Sequence, residues 1–599
     1  MLKNIPVSRF GAASISEVTK PESNYDKEPF VAVPGHARIR NGWRPVCEQL
    51  QARLRGRRRT VLTVDTYPGV EDAEVLGELK ARLRPSRTIR TLDLKKSEPE
   101  LLKLIGGNLT ADRIFGVLSS HEVEEFFDLQ RLAAARREVE RSDEGLVLIY
   151  GVGAELVVRG DLLVYADMAR WEIQLRYRRG LGNWGAENGA EDFFRKYKRG
   201  FFVEWRAADR HKFDLFDRVD FFLDTHRPGQ PKLAEGAALR QGLQHTATRP
   251  FRVVPFFDPA PWGGQWMRRV CALDGEARNY GWCFDCVPEE NSLLLRFGAE
   301  RIEIPSLNLV HRAPAALLGD KVYARFGREF PIRFDFLDTM GGGNLSLQVH
   351  PLAAFIRQHF GMSYTQDESY YLLDAGPDAC VYLGLREGIN PQAMIHDLEA
   401  AQGGGGPFPV DQYVNRWPAR KHDHFLIPAG TVHCSGANSM VLEISATPYI
   451  FTFKMWDWGR LGLDGRPRPV HLNYGIANIQ WDRTTKGVKK ELINRVEPVA
   501  QGEGWREERT GLHASEFIET RRHWFRSQTP HHTQGGVNVL NLVSGEEAIV
   551  ESPDGRFEPF VVHYAETFIV PAAVGRYTIR PHGAAEGSEC ATIKAFVRT

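Results

Sequence analysis

The strongest constraint on the fold of this chain is a set of polar residues spaced along strand-like sequence. In LSLQVH the side chains alternate, so Gln348 and His350 point to the same face of a predicted strand. Glu368 begins a second strand, ESYYLL, and His433 follows an IPAGT turn. Each residue alone would more often be an ordinary polar residue of an antiparallel barrel. Together, imidazole, carboxylate and amide oxygen suit zinc with one position left open for water or substrate.

The series Q-x-H, then E, then P-A-G-T-x-H resembles the type I phosphomannose isomerases, zinc enzymes of the cupin superfamily. Other segments follow that family's order, namely Pro261–Gly264 (PWGG), Phe330–Asp338 (FPIRFDFLD), Val441–Ser445 (VLEIS), Asp457–Arg460 (DWGR), and the R-x-x-H of Arg468 and His471. The resemblance covers roughly residues 250 to 599. It implies cupin β-barrels of the jelly-roll type, with a metal-dependent aldose-ketose isomerase in the first of them.

The resemblance also implies a cofactor, a reaction and roles for single residues. One zinc ion per chain, held by Gln348, His350, Glu368 and His433, would act as a Lewis acid. The reaction would interconvert mannose 6-phosphate and fructose 6-phosphate by proton transfer through an enediol. The proton carrier would be Lys454 or Glu443, although Glu443 could instead orient a metal ligand. The implied substrate-binding residues are Ser346, Gln366, Lys421 and Arg460.

Two departures from the family pattern keep other functions open. Lys454 stands where the family has Arg, which keeps the charge but loses the planar fork. Gln366-Asp367-Glu368 replaces the family's K-x-E, so a phosphate would meet Asp367 instead of a cation. An isomerase of an unphosphorylated sugar is therefore an alternative. Another is a non-catalytic sugar-binding or regulatory cupin protein.

The N-terminal part of the chain has a different pattern. Strand-like segments, among them RTVLTVDTY, GLVLIYGVGAEL and DLLVYADM, alternate with helical ones, which predicts a parallel sheet with helices on both faces. Residues 50 to 225 resemble a P-loop nucleoside or sugar kinase, partly through DRIFG at Asp112–Gly116. The phosphate-binding G-x-x-x-x-G-K-[ST] is missing, because VDTYPGVEDAE has Gly69 alone. We therefore predict a degenerate kinase-like domain without ATP chemistry.

These patterns predict a multidomain α/β and β protein. Its parts are an N-terminal arm (1–45), the kinase-like α/β domain (46–228), a polar linker (229–248), a metal-binding cupin domain (249–490) with a helical insertion (386–420), and a second cupin domain (491–599). The second cupin is expected to bind no metal, because VPAAVGRYTI has no His where the first has GTVH. His531 and His532 are expected at the surface.

Composition limits the partners and the compartment. Lys and Arg number 77 against 76 for Asp and Glu, so no overall charge favours nucleic acid or an anionic membrane. No run approaches the ~18 apolar residues of a membrane span. Seven cysteines scattered over 599 residues fit a reducing cytoplasm better than a disulfide framework. The expected partner is a small sugar phosphate, and the sequence leaves the oligomeric state open.

Overall fold

The computed structural model describes residues 23–446, 449, 451–511 and 513–599. The chain forms an N-terminal α/β domain followed by two β-rich domains. None of the described helices has both the length and the apolar character that a bilayer span requires. The first 22 residues of the predicted arm lie outside the described residues.

The N-terminal domain alternates strands and helices, as its sequence predicts. Its strands are β1 (Phe30–Ala32), β2 (Arg40–Asn41), β3 (Arg59–Thr66), β4 (Arg87–Arg90), β5 (Gly145–Gly151), β6 (Leu162–Asp167), β7 (Phe221–Asp224) and β8 (Lys232–Glu235). Its helices are α1 (Trp43–Leu54), α2 (Asp72–Leu83), α3 (Glu98–Leu109), α4 (Leu129–Glu140), α5 (Ala154–Val157), α6 (Arg170–Arg178), α7 (Phe193–Arg199), α8 (Trp205–Leu215) and α9 (Gly236–Thr246). A π-helical stretch, Gly200–Glu204, joins α7 to α8.

Most of the N-terminal sheet is parallel. The strand order is β2-β8-β7-β6-β3-β5-β4. The strands from β7 to β4 pair in parallel, whereas β8 pairs antiparallel with both of its neighbours, β7 and β2. The expected parallel sheet is therefore confirmed. The predicted linker 229–248 is wrong, because it contains β8 and the amphipathic helix α9, which buries Leu239 and Leu243. The PGQP turn before β8 gave the segment its linker-like appearance.

The carboxyl ends of the parallel strands are filled by the protein itself. Strands β3, β6 and β7 each end near a buried aspartate whose carboxylate is paired: Asp65 with His211 at 2.9 Å, Asp167 with Lys212 at 3.2 Å, and Asp224 with His226 at 2.8 Å. Asp167 also accepts a hydrogen bond from Asn308 of the next domain. Open α/β sheets usually bind ligands at this edge. In this domain the same edge has a small crevice of about 80 Å³, bordered by Tyr67, Asp72 and Tyr150.

The second domain is built mainly from two sheets, with a small third sheet beside them. Its strands are β9 (Phe256–Asp258), β10 (Trp282–Cys286), β11 (Ser292–Phe297), β12 (Glu300–Pro305), β13 (Arg333–Asp338), β14 (Leu347–Val349), β15 (Asp367–Ala375), β16 (Cys380–Leu385), β17 (Val414–Pro418), β18 (His424–Ile427), β19 (His433–Ser435), β20 (Ser439–Ala446) and β21 (Phe453–Trp456). Its helices are α10 (Trp266–Val270), α11 (Leu307–Arg312), α12 (Pro314–Leu318), α13 (Asp320–Phe326), α14 (Ala353–Phe360), α15 (Pro391–Gln402), α16 (Val410–Tyr413), α17 (Leu472–Asn478) and α18 (Thr485–Glu491).

One sheet of this domain has the order β18-β15-β20-β13-β10-β9 and the other β17-β16-β19-β14-β21. Strands β11 and β12 form a separate small sheet with β1, which pairs in parallel with β11 and so attaches the predicted arm to this domain. The predicted insertion 386–420 contains α15 and α16 but also β17, which pairs with β16. The end of that segment therefore belongs to the sheet.

The C-terminal domain is also built from two sheets. Its strands are β22 (Glu497–Gly502), β23 (Trp505–Gly511), β24 (Ile518–Phe525), β25 (Thr529–His532), β26 (Asn538–Ser544), β27 (Glu547–Glu551), β28 (Phe560–His563), β29 (Thr567–Val570), β30 (Arg576–Pro581) and β31 (Cys590–Val597). The sheet orders are β22-β23-β24-β31-β26-β29 and β25-β30-β27-β28. His532 is exposed as expected, but the surface prediction for His531 is wrong, because its ring is buried and stacks on Tyr577.

The hydrophobic core continues from the N-terminal domain into the second domain. Phe115, in the DRIFG segment, is 1% exposed and stacks on Phe451, with ring centroids 5.6 Å apart. It also meets Phe453 edge-on at 5.2 Å. The backbone N–H of Leu118 donates to the carbonyl of Phe360. Since the two domains share one cluster of buried apolar side chains, they should unfold together.

We expect Phe115→Ala to lower the free energy of unfolding of the whole protein by about 3–5 kcal/mol, because it opens a cavity in this shared core. Leu102→Ala, at a side chain that is 46% exposed in the same domain, should change it by no more than about 0.5 kcal/mol. Urea unfolding followed by fluorescence measures both. Two separate transitions, with only one of them shifted by Phe115→Ala, would contradict a shared core.

Candidate metal centre

Three predicted metal ligands are brought together by two facing sheets. In one sheet, Gln348 of β14 lies directly opposite His433 of β19, and His350 follows the end of β14. Glu368 comes from β15 in the other sheet. His350, Glu368 and His433 each offer a ligand atom, and these atoms all lie within 4.8 Å of one another. The spacing in the sequence therefore converges on one buried centre between the sheets.

The turn before His433 is built to bring this residue back to the centre. Gly430 has a φ of 83°, a left-handed conformation that favours glycine. The hydroxyl of Thr431 donates to the carbonyl of Pro428 at 2.6 Å and tightens the turn. The carbonyl of Thr431 in turn accepts a hydrogen bond from Nδ1 of His433 at 2.8 Å. The IPAGT sequence thus fixes both the position and the tautomer of the imidazole.

The hydrogen bonds of the two histidines leave their Nε2 atoms with lone pairs. Nδ1 of His350 lies 2.8 Å from the carbonyl of Phe451, and Nδ1 of His433 makes the same contact with Thr431. A carbonyl oxygen only accepts, so each Nδ1 carries the proton and each Nε2 is unprotonated. Both Nε2 atoms nevertheless lie close to Glu368 oxygens, at 3.1 and 2.9 Å. At these distances the two lone pairs and the carboxylate repel one another unless a cation lies between them.

The donor set fits zinc. Nε2 of His350 and Oε1 of Glu368 are buried without a hydrogen-bond partner. Two imidazoles and a carboxylate are ligands that zinc accepts, and backbone carbonyls orient the imidazoles as is usual for bound histidine. The amide of Gln348 lies 3.3 Å from Nε2 of His433, so it reaches the same centre. Its oxygen, once the amide is turned, would supply the fourth donor.

Glu368 is held in place by Gln366, the residue just before strand β15. Nε2 of Gln366 donates to Oε2 of Glu368 at 3.0 Å, while its Oε1 accepts the backbone N–H of Phe451 at 2.9 Å. Both ends of the amide are therefore engaged inside the protein. This placement differs from the predicted contact with substrate: Gln366 orients Glu368, a predicted metal ligand, instead.

Glu443 lies behind Glu368, on the adjacent strand β20. It faces the same side of the sheet as Tyr370 and Asp335, its partners in the strand register. Burial and the nearby Glu368 carboxylate raise the pKa of Glu443 well above its usual range, so it is protonated. Glu443 supports the ionised ligand and does not line the cavity described next.

A cavity of about 560 Å³ leads to this centre. Its inner end is lined by Ser346, Gln348 and Lys454, and the register places Lys454 directly opposite Gln348. The hydroxyl of Ser346 is buried without a partner in the part of the chain that the structure describes. Burial and the Arg468 guanidinium lower the pKa of Lys454 to about 7. Ser346 and Lys454 thus lie where the sequence predicts site residues.

Positive charge collects beside Lys454. Arg468 lines the cavity, and both Arg468 and Arg460 pair with the single carboxylate of Asp457. Arg460 is fixed further by donating to the carbonyl of Asn344 at 2.5 Å. Arg460 therefore supports the cationic group from behind, whereas Arg468, an element of the R-x-x-H motif, faces the cavity directly.

Two sequence interpretations of the site are corrected. Lys421 is exposed, with its ammonium 3.5 Å from the hydroxyl of Tyr564, and it does not line the cavity. It lies in the turn before β18, and this turn faces the C-terminal domain. Asp367 points to the opposite face of β15 from Glu368, toward Glu516, so it does not face the candidate metal centre.

The outer wall of the cavity comes from the N-terminal domain, which the sequence did not connect with the site. It contributes residues from the DRIFG segment and from helices α6 and α7, including Arg113, Gln174, Phe193 and Tyr197. Tyr197 and Gln174 hydrogen-bond to the two oxygens of Glu290, at 2.9 and 2.7 Å. No spacing within one segment signals a contact between residues that lie 93 and 116 positions apart.

Sequence comparison finds relatives for part of the chain. The mannose-6-phosphate isomerase of Streptococcus mutans is 25% identical over 217 residues, which are 36% of this chain and 63% of the relative. Mannose-6-phosphate isomerase ManA of Bacillus subtilis is 26% identical over 154 residues, 26% of this chain and 45% of the relative. The chain thus matches about half to two thirds of the length of these curated relatives.

Two other comparisons concern the N-terminal domain and the overall fold. Residues 42–248 match the family model described as "Domain of unknown function (DUF8485)". The solved mannose 6-phosphate isomerase of Bacillus subtilis aligns with 58% of this chain and 99% of its own, at 16% identity and a TM-score of 0.47. A zinc-bound mannose 6-phosphate isomerase aligns with 59% of this chain and all of its own, at 15% identity and a TM-score of 0.45.

Changing His433 to Ala should remove the bound metal, because it deletes one of the converging lone pairs. We expect zinc in the purified protein to fall from about one ion per chain to near zero, as measured by mass spectrometry of the metal. His359→Ala, at an exposed histidine on α14, should retain the metal. Full zinc content in His433→Ala would remove this residue from the ligand set.

Gln366→Leu should weaken zinc binding without abolishing it, because Glu368 loses the donor that orients its carboxylate. A ligand-orienting partner typically contributes about 10–100-fold in metal affinity. Competition with a fluorescent chelator gives this ratio. Gln358→Leu, at an exposed glutamine on α14, is the matched control and should bind zinc as the unaltered protein does.

Proposed function

We propose that this protein is a zinc-dependent aldose-ketose isomerase of sugar phosphates, interconverting mannose 6-phosphate and fructose 6-phosphate. The observation that carries the proposal is the meeting of His350, Glu368 and His433 next to Gln348, which lines the inner end of a cavity together with Lys454. The partial homology to mannose-6-phosphate isomerases supports the same reaction class. The partner is accordingly a small molecule, and one zinc ion is expected per chain.

A phosphorylated substrate is favoured by the charges at the inner end of the cavity. Beside Lys454, the two guanidinium groups of Arg460 and Arg468 share the single carboxylate of Asp457, which leaves a surplus of positive charge. A phosphate dianion is the group of a sugar phosphate that would neutralise it. The objection that Asp367 would repel the phosphate does not hold, since this side chain faces the other side of its strand.

The chemistry divides between the metal and the side chains around it. A bound zinc ion supplies Lewis acidity at the oxygens of the carbons that exchange hydrogen. Lys454 lies beside Gln348, where its amine can take up and return a proton at Nζ. Its lowered pKa keeps part of the population unprotonated near neutral pH. The aromatic walls of the cavity exclude water from the proton while it is held.

We also place the protein in the cytoplasm. All seven cysteines are buried thiols, and none is paired in a disulfide. Unpaired cysteines are typical of a reducing compartment. A cytoplasmic location also agrees with a phosphorylated substrate, because the charge of the phosphate keeps such a sugar from crossing a membrane unaided.

Lys454→Gln tests the proton-transfer role. We expect kcat/KM for mannose 6-phosphate to fall by about 10²–10⁴-fold, the usual contribution of a general acid-base group. Zinc content should be unchanged, because Lys454 is not among the predicted ligands. Lys421→Gln is the matched control: it removes the same charge outside the cavity and should leave the kinetics unchanged. A coupled assay that detects fructose 6-phosphate measures each variant.

The same assay separates the proposal from its alternatives. Turnover of free mannose at the rate of mannose 6-phosphate would replace the phosphorylated substrate by a neutral sugar. A zinc-loaded protein that binds sugar phosphate without turnover would be a binding protein, and the isomerase proposal would fall. Full activity of Lys454→Gln would assign the proton transfer to another group.

A further inference from the structure

The cavity that leads to the metal centre lies between two domains. Its inner half belongs to the metal-binding domain, but Arg113, Phe193 and Tyr197 on its outer wall belong to the N-terminal domain. The two domains are held by Trp171, whose indole N–H donates to the hydroxyl of Ser292 at 2.6 Å, and by the shared apolar core. The wall is thus a fixed part of the cavity.

Asp112, next to Arg113 of this wall, is held in place by its own loop. Its Oδ1 atom accepts the backbone N–H groups of Ile114 at 2.7 Å and Phe115 at 2.8 Å. The backbone carbonyl of Asp112 also accepts from the ammonium of Lys198. These contacts occupy one carboxylate oxygen and leave the other, Oδ2, to face the metal-binding domain.

Oδ2 of Asp112 faces His471, which lines the cavity. The distance from Oδ2 to Nε2 of His471 is 3.6 Å, and the two side chains are 17% and 7% exposed. The imidazole meets Phe115 edge-on, with ring centroids 4.8 Å apart, and stacks on Tyr474. The backbone N–H of His471 donates to the carbonyl of Lys454 at 2.8 Å, which ties this histidine to the inner end of the cavity.

The remaining ring nitrogen of His471 lacks a partner. Its Nδ1 atom is buried and forms no hydrogen bond to any residue that the structure describes. A carboxylate beside Nε2 favours the tautomer with the proton on Nε2, which leaves Nδ1 as an acceptor. A buried acceptor without a donor is costly, and a hydroxyl group of a bound sugar would satisfy it.

We propose that the N-terminal domain completes the substrate site, with Asp112 as a positioning residue that orients His471 to accept a hydrogen bond from a hydroxyl of the sugar. This inference rests on the proposed function, because it takes the ligand to be a sugar phosphate. It assigns to the domain of unknown function at residues 42–248 a part in substrate recognition. This role does not require a ligand to bind at the carboxyl edge of the domain's own sheet.

The test is a double-mutant cycle of Asp112→Asn and His471→Gln in the full chain. An Asn oxygen can still accept the N–H groups of Ile114 and Phe115, so the loop keeps its hydrogen bonds while the charge is lost. A hydrogen bond to a hydroxyl acts on bound substrate and on the transition state alike, so Asp112→Asn should raise KM on the order of tenfold and leave kcat nearly unchanged. The double variant should lose no more than His471→Gln alone.

Calorimetric titration with fructose 6-phosphate gives the same comparison without turnover, and Asp93→Asn, at an exposed aspartate of the same domain, is the control. Additive losses, or a lower melting temperature with an unchanged KM, would overturn the positioning role. Binding without turnover would overturn the proposed isomerase but still decide the role of Asp112 through the dissociation constants. No binding by the unaltered protein would overturn both proposals.

Discussion

The constraint on which the site depends is the meeting of unshared electron pairs at a buried point between two sheets. Backbone carbonyls hold the protons of His350 and His433 on Nδ1, so both Nε2 atoms face the carboxylate of Glu368 with nothing of opposite charge between them. Such an arrangement is unfavourable in a low-dielectric interior without a cation. The binding of a metal would therefore also contribute to the stability of the packing of the two sheets.

Around this point, acidic groups are kept in different protonation states by their surroundings. Glu368 is ionised beside two imidazoles, whereas Glu443 behind it is held neutral by burial and by the charge of Glu368. Burial also raises the pKa of Asp335, on the next strand, to about 7. Only one carboxylate of this row therefore needs to carry full charge toward a metal, and a neutral Glu443 can donate a hydrogen bond to it. Two charged neighbours would instead repel each other.

Local patterns in the sequence predicted the parts of the structure that depend on local geometry. Alternation in LSLQVH placed Gln348 on the inner face, and the same alternation, applied to the residue just before ESYYLL, explains why Asp367 faces away. What the sequence could not predict were contacts made by the tertiary fold. Lys421 points toward the C-terminal domain, and Gln366 is engaged at both ends inside the protein. The DRIFG segment suggested a kinase resemblance but lies against the cavity, because Phe115 packs on Phe451 across the domain boundary.

The N-terminal sheet shows how a domain can take part in a site without using its own ligand-binding edge. In an open α/β sheet that edge is where small molecules bind, but here its aspartates are paired with His211, Lys212 and His226. The surface that borders the candidate site is instead the one that faces the second domain. Since both domains bury side chains in the same core, this surface cannot separate from the cavity without breaking that core. A wall fixed in this way would restrict which molecules reach the candidate metal centre, and a rigid wall does so at no cost in conformational entropy when a ligand binds.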